Sequence, residues 1–176
     1  MILYIVRHGE TEENQQKILQ GHLPGTLTTQ GKAQVAATAE QLAAMGVPFD
    51  AIVSSDLQRA MDSAHIIGSR LHLEVETTPM LRERNWGEFT GMSIAEAAER
   101  FRIDGQWCFP EGTVETEAEI FARAQEALTM LGAHHGESLI VVTHGQFARN
   151  LLAAYHHITF RDVPPLANAE VRVVQL

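Results

Sequence analysis

The sequence predicts an α/β fold, a three-layer sandwich with a mostly parallel central sheet and helices on both faces. Three observations predict it. Short, continuous apolar runs at residues 2–6 and 139–142 read as strands buried on both sides. Longer segments carry apolar residues at helical spacing. The two kinds alternate along the chain, with no repeat, low-complexity tract or linker between them.

Residues 2–6 (ILYIV) form the first strand. The Ala-rich stretch 28–45 is a helix with Ala36, Ala39, Leu42 and Ala43 toward one side; it stops at Gly46, with Pro48 just after. Residues 49–53 (FDAIV) form a second strand, and Ser54, Ser55 and Asp56 are N-cap candidates for the next helix. That helix carries Leu57, Ala60, Met61, Ala64 and Leu71, interrupted near Gly68. A third strand covers 73–76. From 80 to 115 the pattern is irregular, punctuated by Gly87, Gly91, Gly105, Pro110 and Gly112. One short helix is signalled there, with Ser93 and Glu96 spaced as a capping box. A longer helix spans 116–131, where Thr116 and Glu119 repeat that spacing and Ile120, Phe121, Ala124, Leu128 and Leu131 form the apolar stripe. A strand at 139–142 and a helix at 146–155 follow. Pro164-Pro165 marks a loop, and 170–175 is a final strand.

The 176 residues suffice for one domain spanning 1–176, with 80–115 as a lid-like segment over the site. Hydrophobic residues at 45 % and charged residues at 20 % fit a soluble globular protein. The net charge of −9 argues against affinity for nucleic acid or anionic membrane. It would also repel a phosphorylated substrate, so any anion site must be local. The single cysteine, Cys108, precludes an intrachain disulfide and fits a reducing cytoplasm; its neighbours Trp107 and Phe109 suggest an ordinary apolar contact. No basic n-region opens the chain, and no segment approaches the roughly 20 apolar residues that cross a bilayer. A cytoplasmic location is expected. Nothing in the string specifies an oligomeric state.

In open α/β sheets, ligands sit beyond the carboxyl ends of the strands. After the first strand come Arg7, His8 and Gly9; after the second, Ser54, Ser55 and then Arg59, one turn into a helix; after 139–142, Thr143, His144 and Gly145. Two histidines and two arginines thus converge on one rim. Helix starts near Ser55 and Gln146 would add backbone N–H donors. Arginine presents fixed donors matched to phosphate oxygens, and a glycine after each histidine lets backbone approach a ligand. Zinc is the rival ligand for two histidines, but the arginines would repel a dication and no Asp or Cys stands at ligand spacing. No metal or cofactor is expected. Glu83, Glu88 and Glu10 are the candidate carboxylates for acid–base work, and the residues alone leave that choice nearly open; Glu10 reads as a cap or loop-positioning group. The histidine pairs 134–135 and 156–157 and the acidic run 111–119 read as solvated.

Four blocks, "RHGET", "SSDLQRAMDSA", "LRERNWGEFTG" and "VVTHG", resemble in order and spacing the signature of the histidine phosphatase superfamily, in its phosphoglycerate-mutase-like branch. The resemblance covers nearly the whole chain. It implies that His8 is the nucleophile and becomes a phosphohistidine. It implies that Arg7, Arg59 and His144 surround the transferring phosphoryl group, with His144 a protonated donor whose charge the bound phosphate supports. Asn14 should bond the phosphate, Gln20 and Gly21 should line the substrate pocket with Gly145 close by, and His22, following Gly21, could touch substrate. Glu83 occupies the general acid/base position. The implied partner is a small phosphomonoester.

Family mutases carry an insertion between the acid block and the second histidine, and a C-terminal tail. Here 60 residues (84–143) separate Glu83 from His144, and the chain ends just past its last strand. Both features favour a compact bacterial phosphatase over a mutase. A non-catalytic phospho-ligand module on the same fold would typically lack the nucleophile or the acid, and both are present. Phe89 stands where the family commonly has tryptophan, and the turn 110–116 is stretched. Both departures fall in the lid and bear on substrate identity.

Overall fold

The computed structural model describes residues 1–104 and 106–176; Gly105, within the predicted lid, lies outside them. In chain order the elements are β1 (Ile2–Arg7), α1 (Glu12–Gln15), α2 (Thr29–Ala44), β2 (Ala51–Ser55), α3 (Gln58–Leu71), β3 (Val75–Thr78), α4 (Ile94–Phe101), β4 (Arg102–Ile103), β5 (Gln106–Trp107), α5 (Glu117–Gly132), β6 (Ser138–Thr143), α6 (Gly145–His156) and β7 (Val171–Gln175). Strands β3-β2-β6-β1-β7 form one five-stranded sheet, parallel except for β7, which runs antiparallel along β1. The chain lays down β1, leaves a gap, builds β2 and β3 outward, and then inserts β6 between β2 and β1.

Alternation along the central strands produces the layers. Leu3, Ile5, Leu139 and Val141 face one side and pack with Ile120, Ala124, Phe147 and Leu151 of α5 and α6. Tyr4, Val6, Ile140 and Val142 face the other and pack with Val35, Leu42, Ala60 and Ile67 of α2 and α3. The predicted three-layer sandwich is the observed one. No described helix is long and apolar enough to cross a membrane.

Several local expectations shift for identifiable reasons. The second strand begins and ends two residues later than 49–53. Phe49 leaves the ladder to meet the edge of the Tyr4 ring, with centroids 4.9 Å apart. Ser54 and Ser55 extend the strand while fully buried, because Ser54 Oγ donates to the Ser55 carbonyl and Ser55 Oγ accepts from Leu57 N. The N-cap of α3 is therefore Leu57, without a side-chain cap, and not one of Ser54–Asp56; Asp56 instead holds Arg82 in two bonds of 2.7 and 2.6 Å. The third strand likewise slides from 73–76 to 75–78, because Leu73 closes the end of α3 by donating to the Gly68 carbonyl. Gly68 does not interrupt α3. It lets the return segment pass, since a Cβ there would lie 2.7 Å from the Leu73 carbonyl oxygen.

The 80–115 segment builds a small core around Leu19 from the first loop: Trp86, Phe89 and Ala97, with Met92, Phe101, Trp107 and Phe109 against them. Trp107 and Phe109 stack at an interplanar angle of 7° on that core. Cys108, between them, is exposed, so the expected apolar contact does not form; alternation puts its side chain on the opposite side. The acidic run is only partly solvated. Glu115 turns inward at 14 % side-chain exposure and pairs with Arg123 at 2.8 Å.

Candidate active site

Register explains why distant residues meet. Arg7 on β1 is level with Thr143 on β6, and Val142 is level with Ser54 on β2. The next residues, His8 and His144, therefore leave adjacent strands side by side, and their rings meet edge-on with centroids 5.2 Å apart. The His8 N–H still donates to the Thr143 carbonyl at 2.9 Å, so the nucleophile candidate sits on the last rung of the ladder. Helix α2 braces its loop from behind: a Cβ on Gly9 would come within 2.5 Å of the Gly31 carbonyl oxygen, and one on Gly31 within 2.0 Å of that of Glu10. Ser63 Oγ accepts the Gly9 N–H at 3.2 Å.

His8 is 2 % exposed, and its two ring nitrogens are distinguished by their partners. Nδ1 faces the Gly9 carbonyl at 2.7 Å, while Arg59 Nε donates to Nε2 at 3.2 Å. The carbonyl can only accept and the guanidinium can only donate, so the tautomer assigned by this network carries its hydrogen on Nδ1 and a lone pair on Nε2. Burial, and then the charges of Arg59 and Arg7, hold the imidazole neutral, well below its ordinary pKa.

Arg59, 1 % exposed, donates through Nη1 to the Leu23 carbonyl and through Nη2 to that of Gly21 at 2.8 Å. Burial pushes it down to about 10, still a cation at neutral pH. Arg7 donates Nη1 to the Leu166 carbonyl at 2.6 Å, and its Nε is buried without a partner. His144 is fully buried, with Nε2 2.8 Å from Ser55 Oγ and Nδ1 unpartnered. Burial, then the charge of Arg59, pushes its pKa well below the ordinary value. The expected protonation of His144 belongs to the phosphate-bound site; without that anion, burial and the neighbouring arginines favour the neutral ring.

A cavity of about 250 Å³ opens above these groups. Of the residues singled out in the sequence, Arg7, His8, Asn14, Gln20, Gly21, Arg59, Glu83 and Gly145 border it. His144 does not; it lies behind His8. Asn14 is the N3 residue of a capping box with Thr11 on the short helix α1, which the sequence reading missed. Gln20 Oε1 accepts from Thr11 Oγ1 at 3.1 Å. His22, expected to be able to touch substrate, stands outside the cavity border, with Nε2 3.0 Å from the Glu83 carbonyl.

Geometry separates the three carboxylates. Glu83 is the one that borders the cavity. Its Oε1 accepts from the backbone of Arg84 at 2.9 Å and Phe147 at 3.0 Å, and Oε2 accepts from Gln146 N at 3.1 Å. The N-terminus of α6, expected to offer N–H groups to an anion, thus aims Glu83 instead. Glu88 is exposed on a 3₁₀ turn. Glu10 is spent on its loop, accepting from Gln15 Nε2 at 2.9 Å and Thr28 Oγ1 at 2.8 Å.

Three further residues stand at the site without a place in the sequence analysis. Asn168 Nδ2 donates to the His8 carbonyl and to Asn14 Oδ1, both at 3.2 Å. Arg123 fixes the backbone around Glu83 through the carbonyls of Met80 and Arg82, at 3.0 and 2.8 Å. No local signal marked either. Arg149 borders the cavity from α6. It stands one turn past His144 much as Arg59 stands one turn past Ser55, and that parallel could have found it.

The cavity border thus gathers three arginines and one carboxylate in a chain of net charge −9. A neutral, oriented imidazole at the carboxyl rim of a parallel sheet, inside that local positive field, is the site of an enzyme that handles phosphoryl groups. The chain belongs to the histidine phosphatase superfamily (branch 1), whose family model matches residues 3–176, and it is a phosphatase. It is 36 % identical over 185 residues to a metal-independent phosphoserine phosphatase of Arabidopsis thaliana, covering 99 % of this chain and 76 % of that protein. It is 33 % identical over 184 residues to phosphoglycerate mutase-like protein 4 of the same plant, covering 99 % and 79 %. Among solved structures, a mycobacterial glucosyl-3-phosphoglycerate phosphatase complexed with VO3 superposes with a TM-score of 0.85 at 29 % identity, covering 98 % of this chain and 91 % of that one.

Proposed function

We propose that the protein hydrolyses a small phosphomonoester without a metal, through a phosphohistidine on His8, within one domain spanning 1–176. The observation that carries this reading is the fixed tautomer of His8, with a lone pair on Nε2 and a hydrogen held on Nδ1 by the Gly9 carbonyl. In the first step Nε2 attacks phosphorus and the bond to the ester oxygen breaks as Glu83 gives that oxygen a proton. In the second, water attacks phosphorus, Glu83 takes its proton, and the P–N bond breaks back to His8. Arg59 swings from Nε2 to the phosphoryl oxygens, where Arg7 Nε joins it.

His144 supports the same centre from beneath. Ser55 Oγ accepts from Leu57 N and has its own hydrogen free for His144 Nε2, which leaves the ring hydrogen of His144 on the unpartnered Nδ1. A phosphoryl oxygen is the acceptor that the orphan Arg7 Nε, at the cavity border, lacks. Among the described residues, no group of three or more His, Cys, Asp or Glu could hold a metal ion. The 80–115 segment supplies the wall that selects substrate. A small phosphorylated metabolite suits a cavity of about 250 Å³, below the usual 300–1,000 Å³ of drug-sized sites. The substrates named for the phosphoserine and glucosyl-3-phosphoglycerate phosphatases are phosphomonoesters of that kind, each with a carboxylate.

Acid-quenched enzyme mixed with p-nitrophenyl phosphate should gain the mass of one phosphoryl group, with and without chelator, and His8→Ala should show neither adduct nor turnover. Full activity in His8→Ala would sink the mechanism. Phosphate release, as opposed to phosphoglycerate interconversion, separates hydrolysis from mutase chemistry.

A further inference from the structure

The geometry points to Arg149 as the specificity residue for a carboxylate on the substrate, so that the preferred substrate is a phosphomonoester bearing a carboxylate close to the ester. This rests on the hydrolase reading above and adds what selects the leaving group. Arg149 makes no hydrogen bond to His8, Arg7 or Arg59; it borders the cavity from α6, as Leu19 and Trp86 do from elsewhere in the chain. Its guanidinium lies 3.8 Å over the ring centroid of Phe160. Nε donates to the Val163 carbonyl at 2.8 Å and Nη2 to the Phe160 carbonyl at 3.0 Å.

Those bonds use the inner edge of the fork and fix its plane. One Nη2 hydrogen and both Nη1 hydrogens make no hydrogen bond to a described residue. The end that remains is the pair of parallel N–H groups that matches a carboxylate. No acidic side chain answers this cation: it has no salt bridge among the described residues, and its pKa is lowered by burial alone. Arg7 and Arg59, by contrast, each feel the charge of Glu83.

Size makes the two sites communicate. His8 and Arg149 border the same cavity of about 250 Å³, below the usual size of drug-sized sites, so a substrate with its phosphoryl group at His8 brings a short leaving group to Arg149. A carboxylate two or three bonds from the ester oxygen reaches the far wall, and its single charge matches a single guanidinium. Because the fork is already immobilised by Phe160 and two carbonyls, little rotamer freedom is lost on binding.

O-phosphoserine and O-phosphoethanolamine test this directly, because they differ only in the carboxylate. The wild-type protein should prefer phosphoserine in kcat/KM by roughly tenfold or more, the usual scale for a hydrogen bond to a charged group, and chiefly through KM. Arg149→Gln keeps N–H donors for the loop carbonyls and loses the charge; it should bring the ratio of the two substrates near one. Arg149→Lys keeps the charge and should retain most of the preference. A merely structural role would lower both substrates together and leave the ratio unchanged in Arg149→Gln, which would overturn the assignment. So would the absence of a preference in a wild-type protein that hydrolyses p-nitrophenyl phosphate. Failure to hydrolyse any of the three esters would instead remove the hydrolase reading, and this one with it.

Discussion

Replacing Glu83 with glutamine separates the two jobs its carboxylate holds. Structurally, Oε1 serves two backbone N–H groups and Oε2 a third. An amide oxygen can keep the Arg84 and Phe147 bonds, but its NH₂ then faces Gln146 N, and one donor at the start of α6 loses its acceptor. An unsatisfied donor at a half-buried position costs about 1–2 kcal/mol, which for a chain of this length lowers Tm by about 2–8 °C. Chemically the substitution removes the proton for the leaving oxygen. For a serine phosphate, kcat/KM should fall by about 10²–10⁴-fold, the usual scale for a general acid. For p-nitrophenyl phosphate, whose leaving group departs unaided, kcat/KM should fall by less than about tenfold. Hydrolysis of phospho-His8 then lacks its base, so stopped-flow absorbance should show a burst of about one equivalent of p-nitrophenolate per enzyme before a slow steady state. Equal losses in kcat/KM for the two esters, or no burst, would refute the role: Glu83 would then be a strut for α6, and the acid would lie elsewhere.

Two further predictions concern the frame around His8. Burial holds His8 and His144 neutral, so below about pH 6.5 the unfolded chain takes up protons that the native state does not. Stability should therefore be full above that pH and fall as pH drops toward 5.5, by up to about 1.4 kcal/mol per pH unit for each histidine, with a smaller contribution from half-buried His22. Urea midpoints against pH should show the slope, and His8→Gln should remove about half of it; an unchanged slope would mean that the imidazole titrates freely. Gly31→Ala puts a methyl 2.0 Å from the Glu10 carbonyl oxygen. It should cost about 1–3 kcal/mol and lower kcat at least about tenfold by displacing the loop that carries His8. Unchanged Tm and kcat would show that α2 does not fix that loop.

Much of this was legible in the chain because it is local. Strands 2–6 and 139–142 are short, apolar and β-rich, and such runs fit only a sheet buried on both faces. The helix at 116–131 announces itself through Thr116 and Glu119, and the capping box forms. His8, Arg59 and His144 follow from reading what stands past each strand. The misses share one cause. Sequence neighbours say little about Cys108 and Glu115, because in a segment packed on an aromatic core, side chains are sorted by which face they occupy. Adjacency to Gly21 does not put His22 on the cavity border, because the positive φ of 47° at that glycine turns the chain before His22 is reached.

By itself the sequence determined the layers, the rim and the family, because periodicity and strand-end residues are properties of single segments. Tertiary structure decided which histidine is poised and which carboxylate can act. Both depend on contacts closed across long stretches of chain: β6 slots between β1 and β2 to bring His144 against His8, Arg59 reaches across to the lone pair of Nε2, and the start of α6 turns Glu83 into the cavity. Three glutamates are chemically alike until backbone N–H groups hold one of them at the border of the cavity.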